Sequence, residues 1–321
     1  MANNNSNLHN AKTAKNDEFY TQLSDIEKEL NNYKDFFNGK IVYCNCDDPR
    51  ESNFFKFFSL NFERLGLKKL ITTGYKADGN GVAYIYEGDK NGNRMVDDDE
   101  VVVTELQGNG SYDSEECIEF LKECDVVVTN PPFSLFRDYV KQLMDYNKKF
   151  LIIGNTQAIT YKEIFPHIKL NQLWLGVSSF NSGMYFQVPE NYQYADTYKF
   201  DRERNGRKVM RVSSICWYTN IPHTKRNTPL DLYKRYNPTD FHKYDNYNAI
   251  EVSKVTDIPE DYNGVMGVPI TFLDKYCPTQ FQIVGCSYQY GDCGKHLDNT
   301  EWGCVVNGKP IYKRLFIKRI S

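Results

Sequence analysis

No stretch of the 321 residues approaches the ~20 consecutive apolar side chains of a membrane-spanning helix. The N-terminus is polar and rich in asparagine, with no apolar segment of the signal-peptide kind, so a soluble, intracellular protein is expected. Paired C-x-x-C spacing is missing as well. The nine cysteines are an odd number without secretory context, which makes reduced thiols the expectation. Cys286, Cys293, His296 and Cys304 can be grouped only by force, and no metal site is expected. Nor is there an excess of positive charge: 39 Lys and Arg against 42 Asp and Glu leave a formal net charge of −3. That balance argues mildly against a polyanionic partner without excluding one, because such binding follows local charge. There is no internal repeat, and no glycine-rich turn follows the first predicted strand, where Arg50, Glu51, Ser52 and Asn53 stand instead.

What is present is a core-forming composition, 40% apolar and 15% aromatic, in a length that suits one large domain or two unequal ones. Residues 1–15 read as a flexible tail. From there to about residue 170, short β-branched runs alternate with amphipathic stretches. Strands are predicted at 40–45, 69–73, 101–106, 125–129 and 150–153. Glycine-rich stretches bracket 82–86, which reads as a hairpin inserted between core elements. Helices are expected over 52–65, from a Ser114 cap to 122, from Ser134 onward, and over 159–165; Thr21 or Asp25 would cap one further helix. This rhythm predicts an α/β fold with a mostly parallel sheet covered on both faces. Ligands of such sheets bind beyond the carboxyl ends of the strands, where Asp47, Asp48 and Pro49 and the run Asn130, Pro131, Pro132, Phe133 both fall. After about residue 176 the texture changes: Tyr, Asn, Arg and Pro rise and strands shorten, with 209–218 and 281–285 the better candidates. The expected division is therefore a catalytic core over 16–176 and a smaller mixed target-recognition region with C-terminal strands over 177–321.

Asn130-Pro131-Pro132-Phe133 carries the clearest chemistry. An amino group whose lone pair is delocalised into a purine ring is a poor nucleophile. A side-chain amide oxygen from Asn130 and the carbonyl of Pro131 can each accept one of its N–H bonds, freeing the lone pair for attack. Consecutive prolines stiffen the loop that holds both acceptors, and Phe133 offers a face for an extruded base. The same four residues would also serve as a plain strand stop. Their place, straight after Asp-Val-Val-Val-Thr and before a helix, favours the chemical reading. Asp47 or Asp48, at the end of the first strand, could hold a cofactor's amino group or ribose hydroxyl, or mark a simple turn.

With these motifs in view, the chain resembles the EcoRI-type adenine-specific DNA modification methylases from about residue 15 to 281. Its densest likeness is in Cys-Asn-Cys-Asp-Asp-Pro-Arg (44–50), Val-Thr-Asn-Pro-Pro-Phe-Ser-Leu-Phe (128–136) and the run 262–272. The resemblance implies a class I, Rossmann-like methyltransferase fold with S-adenosyl-L-methionine as donor. It implies that Phe19, Tyr20 and Thr21 touch the methionine end of the cofactor, that Asp47, Asp48 and Pro49 line its centre, and that Asn130, Pro131, Pro132 and Phe133 hold a flipped adenine. Family members modify a short palindrome paired with a restriction enzyme, GAATTC being the type example. Where the family shows Gly-Asp-Phe, this chain has Gly110-Ser111-Tyr112. Tyr112 keeps the aromatic that stacks on the cofactor's adenine, and Ser111 replaces a charged acceptor with a weaker one, with Asp113 in reach; weakened cofactor affinity is expected. Thr72 and Thr73 stand where a ribose-binding carboxylate often sits.

The function expected is methyl transfer to adenine N6 in duplex DNA, with neither metal nor covalent cysteine intermediate; Cys44 and Cys46 read as core residues. Candidate DNA contacts, all within 177–245, are Arg202, Arg204, Arg207, Lys208, Lys225 and Arg226, each of which could equally be a solvated surface charge. A cytoplasmic monomer acting at the nucleoid, with double-stranded DNA as partner and no membrane or obligate protein partner, is expected. The alternatives are an amino-group methyltransferase acting on RNA, another base or a protein glutamine, and a catalytically impaired DNA-binding paralogue.

Overall fold

A computed structural model describes residues 20–46, 48–204, 206–287 and 303–320. The tail expected over residues 1–15 lies outside them, as do Phe19 and Asp47. The chain forms two compact units: residues up to Asn155 with Asn181–Ile221, and Thr156–Phe180 with the chain from Pro222 onward.

In the first unit the sheet strands are β1 (Ile41–Cys44), β2 (Lys69–Gly74), β3 (Val82–Tyr86), β4 (Val101–Glu105), β5 (Val126–Thr129), β6 (Lys149–Asn155) and β7 (Ile215–Thr219), in the order β4-β3-β2-β1-β5-β6-β7. The four central strands run parallel, and β3, β4 and β7 are antiparallel additions at the edges. The parallel block is what the continuous apolar runs predict. β1 and β5 are buried at every residue, since helices cover both faces of a parallel sheet. Helices α1 (Leu23–Leu30), α2 (Asn53–Leu60), α3 (Phe62–Leu65), α4 (Glu115–Glu123) and α5 (Phe136–Asp145) belong to the same unit. Ser52 and Ser114 cap α2 and α4, accepting from the amides of Phe54 and Cys117 at 3.2 and 3.4 Å. The phenylalanines of α2 face inward, Phe58 edge-on to Phe37 and Phe54 edge-on to Trp217.

Four local expectations are corrected. The helix expected from Ser134 onward starts at Phe136: Leu135 is its N-cap with no side-chain cap, and the Leu135 amide donates to the Pro132 carbonyl at 2.9 Å in the turn before the helix. Neither Thr21 nor Asp25 caps α1. Gln22 is the N-cap, Thr21 pairs with Phe186 in a short antiparallel ladder, and the Asp25 carboxylate accepts from the Tyr185 amide. The helix expected over 159–165 is a 3-10 turn, Thr156–Thr160, and then a helix Phe165–Lys169 with Pro166 in its first turn, where a proline is tolerated. The strand expected over 209–218 is two strands, Arg207–Val212 and β7, in different sheets.

The second unit holds a four-stranded sheet of Ile250–Glu251, Met266–Pro269, Arg314–Arg319 and Phe281–Cys286. Tyr244 packs edge-on to Phe316 and fits only because residue 267 is glycine, where a Cβ would lie 2.0 Å from the Tyr244 hydroxyl oxygen. Glu251 takes a two-pronged contact from Arg314, Nη2 to Oε1 at 2.6 Å and Nε to Oε2 at 3.0 Å, and accepts the Tyr244 hydroxyl as well. Both charged side chains are about nine-tenths buried, at 12% and 10% exposure. No helix among the described residues is long and apolar enough to cross a membrane. Glu251→Ala, which strands the Arg314 charge, should lower the unfolding free energy by about 3 kcal/mol in a urea titration; a loss below about 1 kcal/mol would contradict this account of the pair.

Candidate active site

The carboxyl ends of β1 and β5 lie side by side because the strands are parallel neighbours, in register at Val42 with Val126 and Tyr43 with Val127. Past β1 the chain reaches Asn45, only 2% exposed, and then Cys46 at φ 73°, a left-handed conformation that costs an L-residue roughly 1 kcal/mol. The Thr129 hydroxyl, at the last residue of β5, donates to the Asn45 carbonyl, and the Tyr139 hydroxyl on α5 donates to Asn45 Oδ1. The two strand ends are thereby tied. Burial pushes the Tyr139 hydroxyl well above the usual tyrosine pKa, so it stays a donor at neutral pH.

Tyr112 packs edge-on to Tyr139 with ring centres 5.2 Å apart, and its carbonyl accepts from Gln142 Nε2 on α5. The loop before it is held close to β2. A Cβ at Gly110, whose φ is 75°, would meet the Gly74 carbonyl oxygen at 2.3 Å, and one at Gly81 would meet Gly110 at 2.7 Å. Three backbones converge where side chains are excluded, beside a cavity of about 230 Å³ lined by Asp48, Arg50, Gly74, Lys76 and Gly81 among others. The Ser111 hydroxyl donates to the Asp113 carboxylate. From another direction the Thr21 carbonyl accepts from Asn53 Nδ2 at 2.7 Å, which joins the N-terminal segment to the first turn of α2. Thr21 Oγ1 is buried and has no hydrogen-bond partner among the described residues.

The sequence profile described as adenine-specific methyltransferase EcoRI matches residues 7–320. The chain belongs to that family. It is 48% identical to the type II methyltransferase M.EcoRI of Escherichia coli, over 97% of this chain and 95% of that protein. It is 42% identical to M.MpnI of Mycoplasma pneumoniae and 39% identical to M.MgeORF184P of Mycoplasma genitalium, each over 97% of this chain and 98% of the relative. The α/β architecture with its parallel centre is the Rossmann-like methyltransferase fold expected of the family, and the chain is an enzyme of this class.

Within the first unit the structure gathers Thr21, Asp48, Pro49, Ser111, Tyr112 and Asn130 at one end of the sheet. Tyr20 enters through its backbone, paired with Gln187. Asn130 is half-buried with Oδ1 shielded from solvent; Pro131 is buried, and Pro132 and Phe133 are half-buried. Thr72 and Thr73 are core residues, Thr73 Oγ1 lying 2.8 Å from the Tyr43 hydroxyl. Cys44 is a core residue as expected, whereas Cys46 is half-exposed, alone among the described cysteines. Cys293 and His296 lie outside the described residues, and among those described no group of His, Cys, Asp or Glu stands together as a metal set.

The basic candidates are divided between the units. In the first, Arg207 Nη1 donates to Gln187 at 2.9 Å, the Arg204 guanidinium lies 3.4 Å from the Tyr185 ring centre and also pairs with Asp201, and Arg202 and Lys208 flank Tyr194. In the second, Lys225 pairs with Asp274 at 2.7 Å, and Arg226 lies over the Trp174 ring with its pKa pushed down by burial. Reading the sequence missed Asn45, Asn53, Thr129 and Tyr139, which align the loops, and Arg50 and Lys56, which join Arg207 around a cleft of about 300 Å³. Arg50 and Asn53 stand within or beside the motif that carries the family likeness. The other contacts depend on pairings across 84 and 94 residues and have no local signature.

Proposed function

We propose that this enzyme transfers a methyl group from S-adenosyl-L-methionine to the N6 of adenine in a short specific sequence of duplex DNA, GAATTC or a related site, and so protects that site from a cognate restriction endonuclease. The observation that carries the reading is the Asn130-Pro131 acceptor pair, shielded, stiffened by Pro132 and anchored through Thr129 to the neighbouring strand end. Asn130 Oδ1 and the Pro131 carbonyl accept the two N–H bonds of the adenine amino group, and Phe133 supports the ring. The chain's contribution is positioning and fixed polarity.

The cofactor fits the residues around it. Thr21 Oγ1 is a buried polar atom lacking a protein partner among the described residues, and the close approach of the Gly74, Gly81 and Gly110 backbones borders an open cavity of about 230 Å³ whose lining includes Asp48. Bound there, the cofactor supplies an electrophilic sulfonium methyl. Phe19, Tyr20 and Thr21 would hold its methionine end, Asp47, Asp48 and Pro49 its centre, and Tyr112 its adenine. The acid absent at Ser111 is replaced only in part by Asp113, whose carboxylate accepts from the Ser111 hydroxyl, so that cofactor affinity is weakened and not lost.

Duplex DNA is the partner we assign, bound by a cytoplasmic, nucleoid-acting monomer with residues 16–176 as the catalytic core, to which β7 adds an edge strand, and the rest of 177–321 serving target recognition. Arg202, Arg204, Arg207 and Lys208 are the proposed phosphate contacts, joined by Arg50 and Lys56. Lys225 and Arg226, engaged by Asp274 and Trp174, are assigned lesser parts.

Asn130→Ala should bind cofactor as wild type and lose methyl transfer at least ~100-fold in a labelled-methyl assay; undiminished turnover would defeat the assignment. Asp113→Asn should raise the cofactor dissociation constant about tenfold by calorimetry, the effect of losing one charged acceptor, and an unchanged constant would remove Asp113 from the site. Arg207→Ala should weaken DNA binding and make its log–log salt dependence shallower by about one; an unaltered slope would show that Arg207 meets no phosphate.

A further inference from the structure

Three side chains that the proposed chemistry does not use are buried around one point. Asn45, Thr129 and Tyr139 are 2%, 0% and 0% exposed, with the Thr129 and Tyr139 hydroxyls both aimed at Asn45. Apolar packing does not require this arrangement, because valine at 129 and phenylalanine at 139 fill nearly the same volumes with no buried hydroxyl to satisfy. The polar atoms act through geometry. Thr129 is bonded to Asn130, Asn45 is followed by Cys46 and leads on to Asp48 and Pro49, and Tyr112 packs edge-on to the Tyr139 ring. One clamp therefore touches the amino-group acceptor, the loop at the cofactor's centre and the aromatic at its adenine.

We infer that Tyr139 and Thr129 are positioning residues that hold Asn45 between them, so that the cofactor-holding loops and the Asn130 acceptor keep one fixed geometry. The inference rests on the methyltransferase reading above. Neither hydroxyl touches a reacting atom, and both buried donors are satisfied only when the strand ends are in register. Loosening the clamp leaves the binding surfaces in place and misplaces the acceptor by a fraction of an ångström to an ångström. The loss then falls on the chemical step, because misplacement on that scale costs up to ~100-fold in rate.

The experiment compares wild type with Tyr139→Phe, Thr129→Val, Thr129→Ser and the double variant Tyr139→Phe/Thr129→Val, all in the full chain. It measures single-turnover methyl transfer, dissociation constants for cofactor and DNA, and hydrogen exchange of the Asn130 and Phe133 amides. Expected are a fall of about tenfold or more in single-turnover rate for Tyr139→Phe and Thr129→Val, with both dissociation constants within about twofold of wild type. Thr129→Ser restores the rate, the two amides exchange faster in the slow variants, and the double variant is no slower than the worse single one because both bonds end on Asn45. Wild-type rates in Tyr139→Phe, losses that appear only as weaker binding, unchanged amide exchange, or multiplicative loss in the double variant would each overturn the inference while leaving the methyltransferase reading intact. A wild-type protein that methylates no DNA overturns the reading beneath it, and the inference with it.

Discussion

The molecule's chemistry depends on Asn45 being held by hydroxyls from two other elements. Its side chain and carbonyl are buried, and a buried amide without partners costs roughly 1–3 kcal/mol. The Tyr139 and Thr129 hydroxyls meet that demand only when β1, β5 and α5 are all in place. Three parts of the site at the carboxyl end of the sheet meet at this junction. Asn130 follows Thr129, the segment leading to Asp48 and Pro49 follows Asn45, and Tyr112 leans on Tyr139. A site made of loops gains the precision of the sheet beneath it.

The electrostatics carry a similar lesson about local against global quantities. The whole chain is slightly acidic, yet part of that acid serves the insert between β3 and β4. Asp89 accepts from the amides of Gly92 and Arg94, and Glu100, 3% exposed, accepts from those of Lys90 and Asn91. Those carboxylates stabilise turns and say little about partners. In the first unit Arg202 and Arg204 lie against tyrosine rings, and Arg50, Lys56 and Arg207 line one cleft. A net charge of −3 is therefore a poor guide to binding.

Much of the fold was legible because its signals are local. The run Val126–Thr129 is apolar throughout since both faces of a central parallel strand are covered, and Ser52 and Ser114 start helices because a hydroxyl can satisfy an orphan amide two or three residues on. The failures were local as well. The turn through Pro132 and Leu135 delays α5 to Phe136, and Pro166, tolerated only in a first turn, makes Phe165 a helix start where apolar spacing had suggested a helix end. The break at residues 213–214 was hidden because each flanking strand is apolar enough to continue the other, while the two belong to different sheets.

By itself the sequence determined the parallel core and the family likeness, and it suggested the acceptor roles proposed for Asn130 and Pro131, because each resides in contiguous residues whose shape and polarity depend on near neighbours. Only the tertiary structure decided that Thr21 would be drawn in by strand Met184–Gln187 and Asn53, that Arg50 and Lys56 would share a cleft with Arg207, and that Asn45 would anchor the loops. Hydrogen-bond partners 84 to 94 residues apart leave no periodicity to read. Their pairing is selected when the sheet closes and every buried donor must find an acceptor.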